Sequence, residues 1–257
     1  MAALFTGAKS AGKDLMAING AKTIARVLIC TLGLCTPFPL LAKDAVGDPF
    51  ERVNRKIFAF NESADKYLLR PLAVSYRFIL PDQVESAVGR VFANLGEIVN
   101  VSNDLLQGKW GQAGHDSGRF LINTTLGAAG IFDVAKSFGL ERKEDEDFGQ
   151  TLARWGVGSG AYIILPFIGP STLRDAPAAY VDSLLNPIGY IEHVPTRNTV
   201  YGVNALSIRA DLIKSEQLLS GDKYLFIRDI YLQRRQHLIL DGQVEDDFGE
   251  FDDYGDY

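Results

Sequence analysis

The sequence predicts a mainly α-helical fold with one short extended or hairpin segment near residues 150–168. Apolar residues recur every three or four positions through most of the chain, which is the period of an amphipathic helix. The exception is an uncharged stretch, 155–173, which is long enough to cross a bilayer as a helix. Six glycines and prolines interrupt it, so we expect extended backbone there.

Residues 1–42 have the composition of an export signal. Lys22 and Arg26 precede an apolar run, 27–41, and the small residue Ala42 ends it as a cleavage position. The signal predicts a protein that works outside the cytoplasm, in contact with the cell envelope. The remaining residues are enough for one large domain or two small ones.

Two features of the signal are open. Translation from Met16 would give a signal of ordinary length, whereas Met1 gives an unusually long one. Both cysteines, Cys30 and Cys35, lie inside the signal, so the mature chain contains no disulfide. Lipidation at Cys35 is an alternative to cleavage at Ala42, although the bulky residue before Cys35 is atypical of a lipoprotein signal.

The net charge of −6 is concentrated at the end of the chain. Residues 241–257 carry acidic groups and no lysine or arginine, whereas residues 43–240 are nearly balanced. This composition predicts a helical domain over 43–240 and a disordered acidic tail, with partner or cation binding by the tail as the alternative. No basic patch of the kind that nucleic acid requires is present in the sequence.

The first helices follow from their caps and apolar stripes. Asp48 and Pro49 form a helix start, with Glu51 three residues after the cap. Pro71 is expected to end this helix, and Pro81 to start the third. The predicted helices are, in order, 50–68, 72–80, 84–106, 110–126, 128–138, 176–192 with a break at Asn186-Pro187, 196–219 and 221–240.

Charge patterning predicts two surfaces exposed to water. The segment 141–147 is almost entirely charged and is expected to be an exposed loop. The last helix is amphipathic, and Arg228, Arg234 and Arg235 are assigned to its wetter side.

The sequence offers no catalytic constellation, and we predict that the protein is not an enzyme. The histidines His115, His193 and His237 lack the spacing of a zinc site, so neither a metal nor another cofactor is expected. Ser159 does not lie in a G-x-S-x-G nucleophile elbow, because Val157 occupies the first glycine position. The helices fit either the membrane interface, with their apolar sides in the acyl region, or an ordinary bundle.

Four segments, in the same order along the chain, resemble the MlaA/VacJ family. The likeness covers about residues 48–240 and is more specific than any single motif. The segments are DPFERVNRKIFAFN (Asp48–Asn61), GRFLINTTLGAAGIFDVA (Gly118–Ala135), FGQTLARWGVGSGAY (Phe148–Tyr162) and LPFIGPSTLRD (Leu165–Asp175).

The resemblance implies a ring-like arrangement of amphipathic helices at the periplasmic face of the Gram-negative outer membrane. Such a protein would associate with a trimeric outer-membrane porin. It would remove mislocalised phospholipid from the outer leaflet and pass it through a polar channel to a periplasmic carrier, without breaking a bond. The alternatives are a non-transporting envelope scaffold or surface-associated virulence factor, and a lipase.

The resemblance also suggests residues for the lipid passage and its gate. Gly156, Gly158 and Gly160 match a glycine-rich segment that flanks a mobile hairpin, and we expect them to act as its hinge. Family members are typically lipoproteins, from which the poor context of Cys35 departs. The passage candidates, whose alternative is bonding between neighbouring elements or buried ion pairing, are Asn54, Phe58, Asn61, Asp133, Arg174 and Asp175.

Overall fold

Helices form in most segments that show the helical period. They are described from a computed structural model, which covers residues 48–213 and 221–243. The predicted export signal, the choice at Cys35 and nearly all of the acidic tail lie outside the described residues. The helices are α1 (Glu51–Ala64), α2 (Arg70–Ile79), α3 (Asp82–Gln107), α4 (Trp110–Thr125), α5 (Phe148–Arg154), α6 (Asp175–Leu185), α7 (Val194–Ile213) and α8 (Lys223–Ile239), with 3-10 turns at Ala135–Phe138 and Pro187–Tyr190.

The predicted break at Pro71 is wrong. A π-helical turn, Asp65–Leu69, connects α1 directly to α2, and the chain stays helical through the proline. Pro71 lies in the first turn of α2, just after the π turn has shifted the regular hydrogen-bond ladder. Its missing N–H therefore removes little from the helix. At the other end, the Asp48 carboxylate accepts a 2.9 Å hydrogen bond from the N–H of Phe50.

The predicted helix over 128–138 is also wrong for most of its length. Residues 127–132 form a tight turn, in which the N–H of Phe132 donates to the carbonyl of Gly127 at 3.0 Å. A side chain on Gly127 would place its Cβ 2.3 Å from the carbonyl oxygen of Phe132. Ala128 and Ala129 both adopt positive φ, 51° and 60°, which a helix cannot contain. Only the last predicted turn is helical, as the 3-10 segment Ala135–Phe138.

The predicted extended segment is a β-hairpin. Its strands, β1 (Tyr162–Leu165) and β2 (Gly169–Thr172), are antiparallel, and Leu165 faces Gly169 across the turn. The start of the predicted range is instead helix α5, so the hairpin begins later than the glycine spacing suggested. The mainly helical fold with one short hairpin is confirmed.

The elements contact one another in a closed circuit. From α1 the contacts pass through the π turn to α2, then to α7, α3, α5 and α8. From α8 they continue to β2, β1 and back to α1, as a ring-like arrangement requires. Helix α4 packs along α3, and α6 packs on α5 and β2. The small apolar core lies where β1 meets α8, around Tyr162, Ile164 and Tyr224.

Candidate functional site: a polar interior

The interior of the described chain is predominantly polar. In α3 all the buried residues are polar or charged, and the same holds for most of those in α4. Such groups need hydrogen-bond partners when they leave water, so this interior is a hydrogen-bond network and not a hydrophobic core. The buried residues of α3 are Glu85, Asn94, Glu97, Asn100, Asn103, Asp104 and Gln107.

Large apolar side chains are instead exposed on the outside. On α2, Leu72, Val74, Phe78 and Ile79 are exposed, and Phe78 reaches 90%. At 100° per residue these positions all lie at least 100° around the helix from the buried Ala73. Exposed apolar surface on this scale marks a protein or membrane interaction. Over 48–213 and 221–243, no helix combines the length and hydropathy needed to cross a bilayer.

Asn54 is buried and binds the free edge of β1. Its amide nitrogen donates to the carbonyl of Tyr162 at 3.1 Å, and its oxygen accepts from the N–H of Ile164 at 3.0 Å. The same nitrogen lies 3.1 Å from both carboxylate oxygens of Asp48. One side chain therefore fixes β1 against α1 and against the start of the described chain.

Asn61 repeats this contact seven residues later. It donates to the carbonyl of Leu165 at 3.0 Å and accepts from the N–H of Phe167 at 2.8 Å, so it holds the hairpin turn. Phe167 also packs edge-on against Phe60, with ring centroids 5.1 Å apart. Both asparagines thus lie on one side of α1, as their spacing predicted, and both bond the hairpin. Their role in a lipid passage stays a prediction.

Phe58 lies between the asparagines in sequence, but it belongs to the apolar core. Its ring meets that of Tyr224 edge-on at 5.8 Å, and it packs with Ile57 against the buried cluster. Tyr224 also hydrogen-bonds Asp48, which joins α8 to the start of α1. Phe58 therefore packs α1 against α8 and β1.

Asp133 is part of an ion pair, as its alternative interpretation expected. Arg119 Nη2 lies 3.3 Å from Asp133, and Arg119 Nε lies 3.1 Å from Glu97. Partial burial would raise the pKa of Asp133, but the hydrogen bond from Asn123 and the charge of Arg119 lower it below its usual value. Arg119 and Glu97 are almost fully buried, so this network joins α3, α4 and the turn after α4.

Arg174 and Asp175 belong to a cluster of four charges, of which Asp147 is partly exposed and the other three are largely buried. Arg174 Nε donates to Asp175 at 2.8 Å. Arg235 Nη2 from α8 donates to Asp175 at 3.0 Å and to Asp147 at 2.7 Å. Burial opposes ionisation, but these arginine hydrogen bonds hold the pKa of Asp147 and of Asp175 below the ordinary value. The assignment of Arg235 to the wetter side of α8 is therefore wrong.

Gly149 makes room for this cluster. A Cβ at that position would lie 2.2 Å from Arg235 Nη2 and 2.5 Å from Asp175 Oδ1. The charges therefore meet across the first turn of α5, where any side chain would collide with them.

The three hinge glycines differ in backbone conformation. Gly156 and Gly160 have positive φ, 88° and 66°, whereas Gly158 does not. A Cβ on Gly160 would also lie 3.0 Å from the Cβ of Leu173. The segment between α5 and β1 thus contains two turns that favour glycine. Their movement as a hinge stays a prediction.

Sequence reasoning missed the residues that form the interior. The expectation of an exposed loop over 141–147 is wrong near its end, because Glu146 is buried and bonds Gln107 and Lys109 at 2.8 Å each. Asp104 is fully buried near Asp116. Burial, then the charges of Asp116 and Glu146, raise the pKa of Asp104 to about 8. The available signal was the run of polar residues along one side of α3.

The fold and this interior define a class of helical protein with polar groups inside and large apolar side chains outside. Residues 46–238 match the family described as MlaA lipoprotein, and the chain belongs to this family. The intermembrane phospholipid transport system lipoprotein MlaA of Escherichia coli K12 is 34% identical over 203 residues, which is 77% of this chain and 80% of that protein.

A Rickettsia bellii protein is 37% identical over 195 residues, 74% of this chain and 76% of the relative. A solved structure described as the structural basis for maintenance of bacterial outer membrane lipid asymmetry matches with a TM-score of 0.67 at 34% identity. The match covers 75% of this chain and 99% of that one. The predicted family is confirmed.

Proposed function

We propose that the protein maintains lipid asymmetry of the Gram-negative outer membrane. It removes mislocalised phospholipid from the outer leaflet and passes it through a polar channel to a periplasmic carrier. The names of the relatives and of the solved structure support the link to phospholipid transport and outer-membrane lipid asymmetry. The observation that carries the proposal for this chain is that polar side chains are buried inside it while large apolar side chains are exposed outside.

This distribution suits a protein seated in one monolayer. Exposed apolar side chains on α2 and at the hairpin tip can rest among acyl chains, since burial there recovers roughly 25 cal/mol per Å². The polar interior can receive a charged head group, which would be costly to move through hydrocarbon. The lipid's tails would stay in the bilayer while its head group passes the polar network. This is transport and not bond chemistry.

A trimeric porin and a soluble periplasmic carrier are the partners that we propose. The exposed apolar side chains of α2 are the surface that we propose for the porin. We place the protein at the periplasmic face of the outer membrane, where it can deliver lipid to a soluble carrier.

A cell-based experiment tests the transport step. Surface-exposed phospholipid is measured by outer-membrane phospholipase activity in a deletion strain with and without the wild-type gene. We expect surface phospholipid to rise several-fold on deletion and to return on complementation. Unchanged surface phospholipid, with envelope defects still present, would favour a scaffold instead.

The membrane contact can be measured directly, because the chain has two tryptophans, Trp110 and Trp155. Both are more than half exposed. In vesicles containing lipids brominated along the acyl chain, we expect their fluorescence to be quenched relative to unbrominated vesicles. Equal fluorescence in the two preparations would show that neither tryptophan reaches the acyl chains.

A further inference from the structure

A fully buried carboxyl group lies near the end of α3. Asp104 is 0% exposed, and within residues 48–213 and 221–243 no N–H or hydroxyl group donates to either of its side-chain oxygens. A carboxylate accepts several hydrogen bonds in water, so an ionised group here would lose them all without compensation. A protonated carboxyl group carries no charge and is itself a donor, so the geometry favours this form.

Asp116 on α4 supplies the acceptor for this proton. Its residue is 2% exposed, and its carboxylate hydrogen-bonds Asp104. His115 Nδ1 lies 2.7 Å from Asp116 Oδ1 and holds this carboxylate in place. Two buried carboxyl groups in contact do not both ionise readily, because each charge opposes the other. The pair therefore holds one proton between its members.

The charged groups around the pair come from several elements and are mostly acidic. Burial, and then the charges of Asp116 and Glu146, raise the pKa of Asp104 to about 8. The groups are the buried pair of Glu97 on α3 and Arg119 on α4, Lys109 before α4, Glu146 before α5, Asp182 on α6, which bonds the adjacent Asn103, and Asp241 after α8.

Lys109 connects this pair to the end of α8. Its Nζ lies 2.8 Å from Glu146 and also contacts Asp241, and its side chain is only 11% exposed. Its backbone N–H donates to the carbonyl of Asp104 at 2.8 Å, and its charge also acts on the Asp104 carboxyl group. A single ammonium group therefore interacts with carboxyl groups from three segments.

The turn after α8 has a backbone conformation that needs support. Asp241 adopts a positive φ of 53°, which is uncommon for a residue other than glycine, and Gly242 follows at 75°. The N–H groups of residues 240–243 all donate to carbonyls of this turn. Arg154 lies 3.9 Å from Asp241, so its support is weaker than that of Lys109. A turn of this kind, held by one close ion pair, is able to open locally.

We propose that Asp104 and Asp116 share one proton, and that loss of this proton releases the end of α8 from Lys109. When Asp104 gives the proton to water, it becomes a carboxylate beside the carboxylates of Asp116 and Glu146. Lys109 is then attracted to the new charge. Asp241 leaves, because its side chain is 37% exposed and can be solvated, whereas that of Glu146 is 5% exposed. The turn opens as the pH rises and closes as it falls. This inference does not depend on the proposed function.

Infrared spectroscopy of the purified full chain in detergent detects the shared proton. The C=O stretch of a carboxylic acid is distinct from that of a carboxylate, so we expect it to be lost in wild type between about pH 7 and about pH 9. Burial raises the pKa of Asp182 only to about 6, so Asp182 contributes little over this interval.

Two variants assign this infrared change. Asp104→Asn should remove it, whereas Asp229→Asn, half exposed on α8, should keep it. If Asp104→Asn does not fold, Asp116→Asn replaces it, because loss of the neighbouring charge should move the titration to lower pH. An infrared change that Asp104→Asn or Asp116→Asn leaves as in wild type would overturn the shared proton.

Hydrogen exchange of residues 240–243 measures the release. With exchange times corrected for the intrinsic rate at each pH, we expect protection of these amides in wild type to fall roughly tenfold between about pH 7 and about pH 9. Asp104→Asn should keep the protection at both pH values, and Lys109→Gln should lose it at both. Lys56→Gln, an exposed lysine on α1, is the control and should behave as wild type.

Three results would overturn the release: equal protection of the wild type at both pH values, an equal loss in Asp104→Asn and wild type, or full protection in Lys109→Gln. None of these measurements involves lipid, so they are separable from a failure of the proposed function.

Discussion

Asn54 and Asn61 are seven residues apart on α1, and both turn their side-chain amides onto the hairpin. Each amide donates one hydrogen bond to the hairpin backbone and accepts another. Asn54 occupies the edge of β1 that faces away from β2, in the place of a third strand, and Asn61 holds the turn that follows β1. A two-stranded hairpin is only marginally stable alone, so α1 controls whether this one is ordered.

The two asparagines should differ in the effect of their loss. Asn54→Ala leaves the buried backbone groups of β1 unpaired and should lower the free energy of unfolding by about 2–4 kcal/mol. Asn61→Ala affects the exposed turn and should cost only about 1 kcal/mol while loosening the hairpin tip. Chemical denaturation in detergent measures both. Asn198→Ala, an exposed helical asparagine, is the control and should change stability by less than about 0.5 kcal/mol. Equal losses for Asn54 and Asn61 would contradict this order.

Substitutions of the hinge glycines should also differ in their effect on stability. Gly160→Ala forces an L residue into a positive φ and against Leu173, so it should destabilise the fold by roughly 1–3 kcal/mol. Gly158→Ala meets no positive φ and should stiffen the segment with little loss of stability. If this segment is a hinge, Gly158→Ala raises surface phospholipid in cells at normal protein level. Normal detergent resistance with both variants would count against the hinge.

The sequence predicted the helices where apolar residues recur regularly, as in α3 and α8. It failed where a tertiary contact decides the backbone. The turn after α4 follows from the close approach of Phe132 to Gly127, which no periodicity reveals. Pro71 was treated as a helix end because a π turn two residues earlier leaves no pattern in the sequence.

The candidate site was predictable only in part. The spacing of Asn54 and Asn61 correctly places them on one side of α1, but their partners lie more than 100 residues away. Arg235 was assigned to water because an arginine on an amphipathic helix is usually solvated. Its burial depends on Asp147 and Asp175 converging from two other segments, which a single sequence does not show.

Gly149→Ala tests whether the charge cluster is tightly packed. The new methyl group would push between Arg235 and Asp175, so we expect a loss of about 1–3 kcal/mol in the free energy of unfolding. Gly114→Ala is the matched control, since it is helical with nothing within 4 Å of the added Cβ. That change should stabilise the protein by about 0.5–1 kcal/mol. A neutral Gly149→Ala would mean that the cluster can separate without cost.

The buried carboxyls make stability depend on pH. Burial raises the pKa of Asp104 to about 8 and that of Asp182 to about 6, in each case from 3.8. The folded chain therefore holds more protons than the unfolded chain between about pH 4 and pH 8, and stability falls as the pH rises through this window. Asp182 contributes up to about pH 6, and Asp104 continues to about pH 8.

Asp104→Asn should remove the upper half of this dependence. Asparagine resembles the protonated acid and carries no charge at any pH. The variant therefore has neither the repulsion from Asp116 and Glu146 nor the attraction to Lys109 that an ionised Asp104 would have. Thermal unfolding in detergent should show a wild-type Tm that declines between pH 6 and pH 8. The variant's Tm should be nearly flat there and higher at pH 8, by about 2–4 °C for each kcal/mol recovered. Asp229→Asn, half exposed, should follow the wild type. A parallel decline in Asp104→Asn would place the titrating group elsewhere in the polar interior.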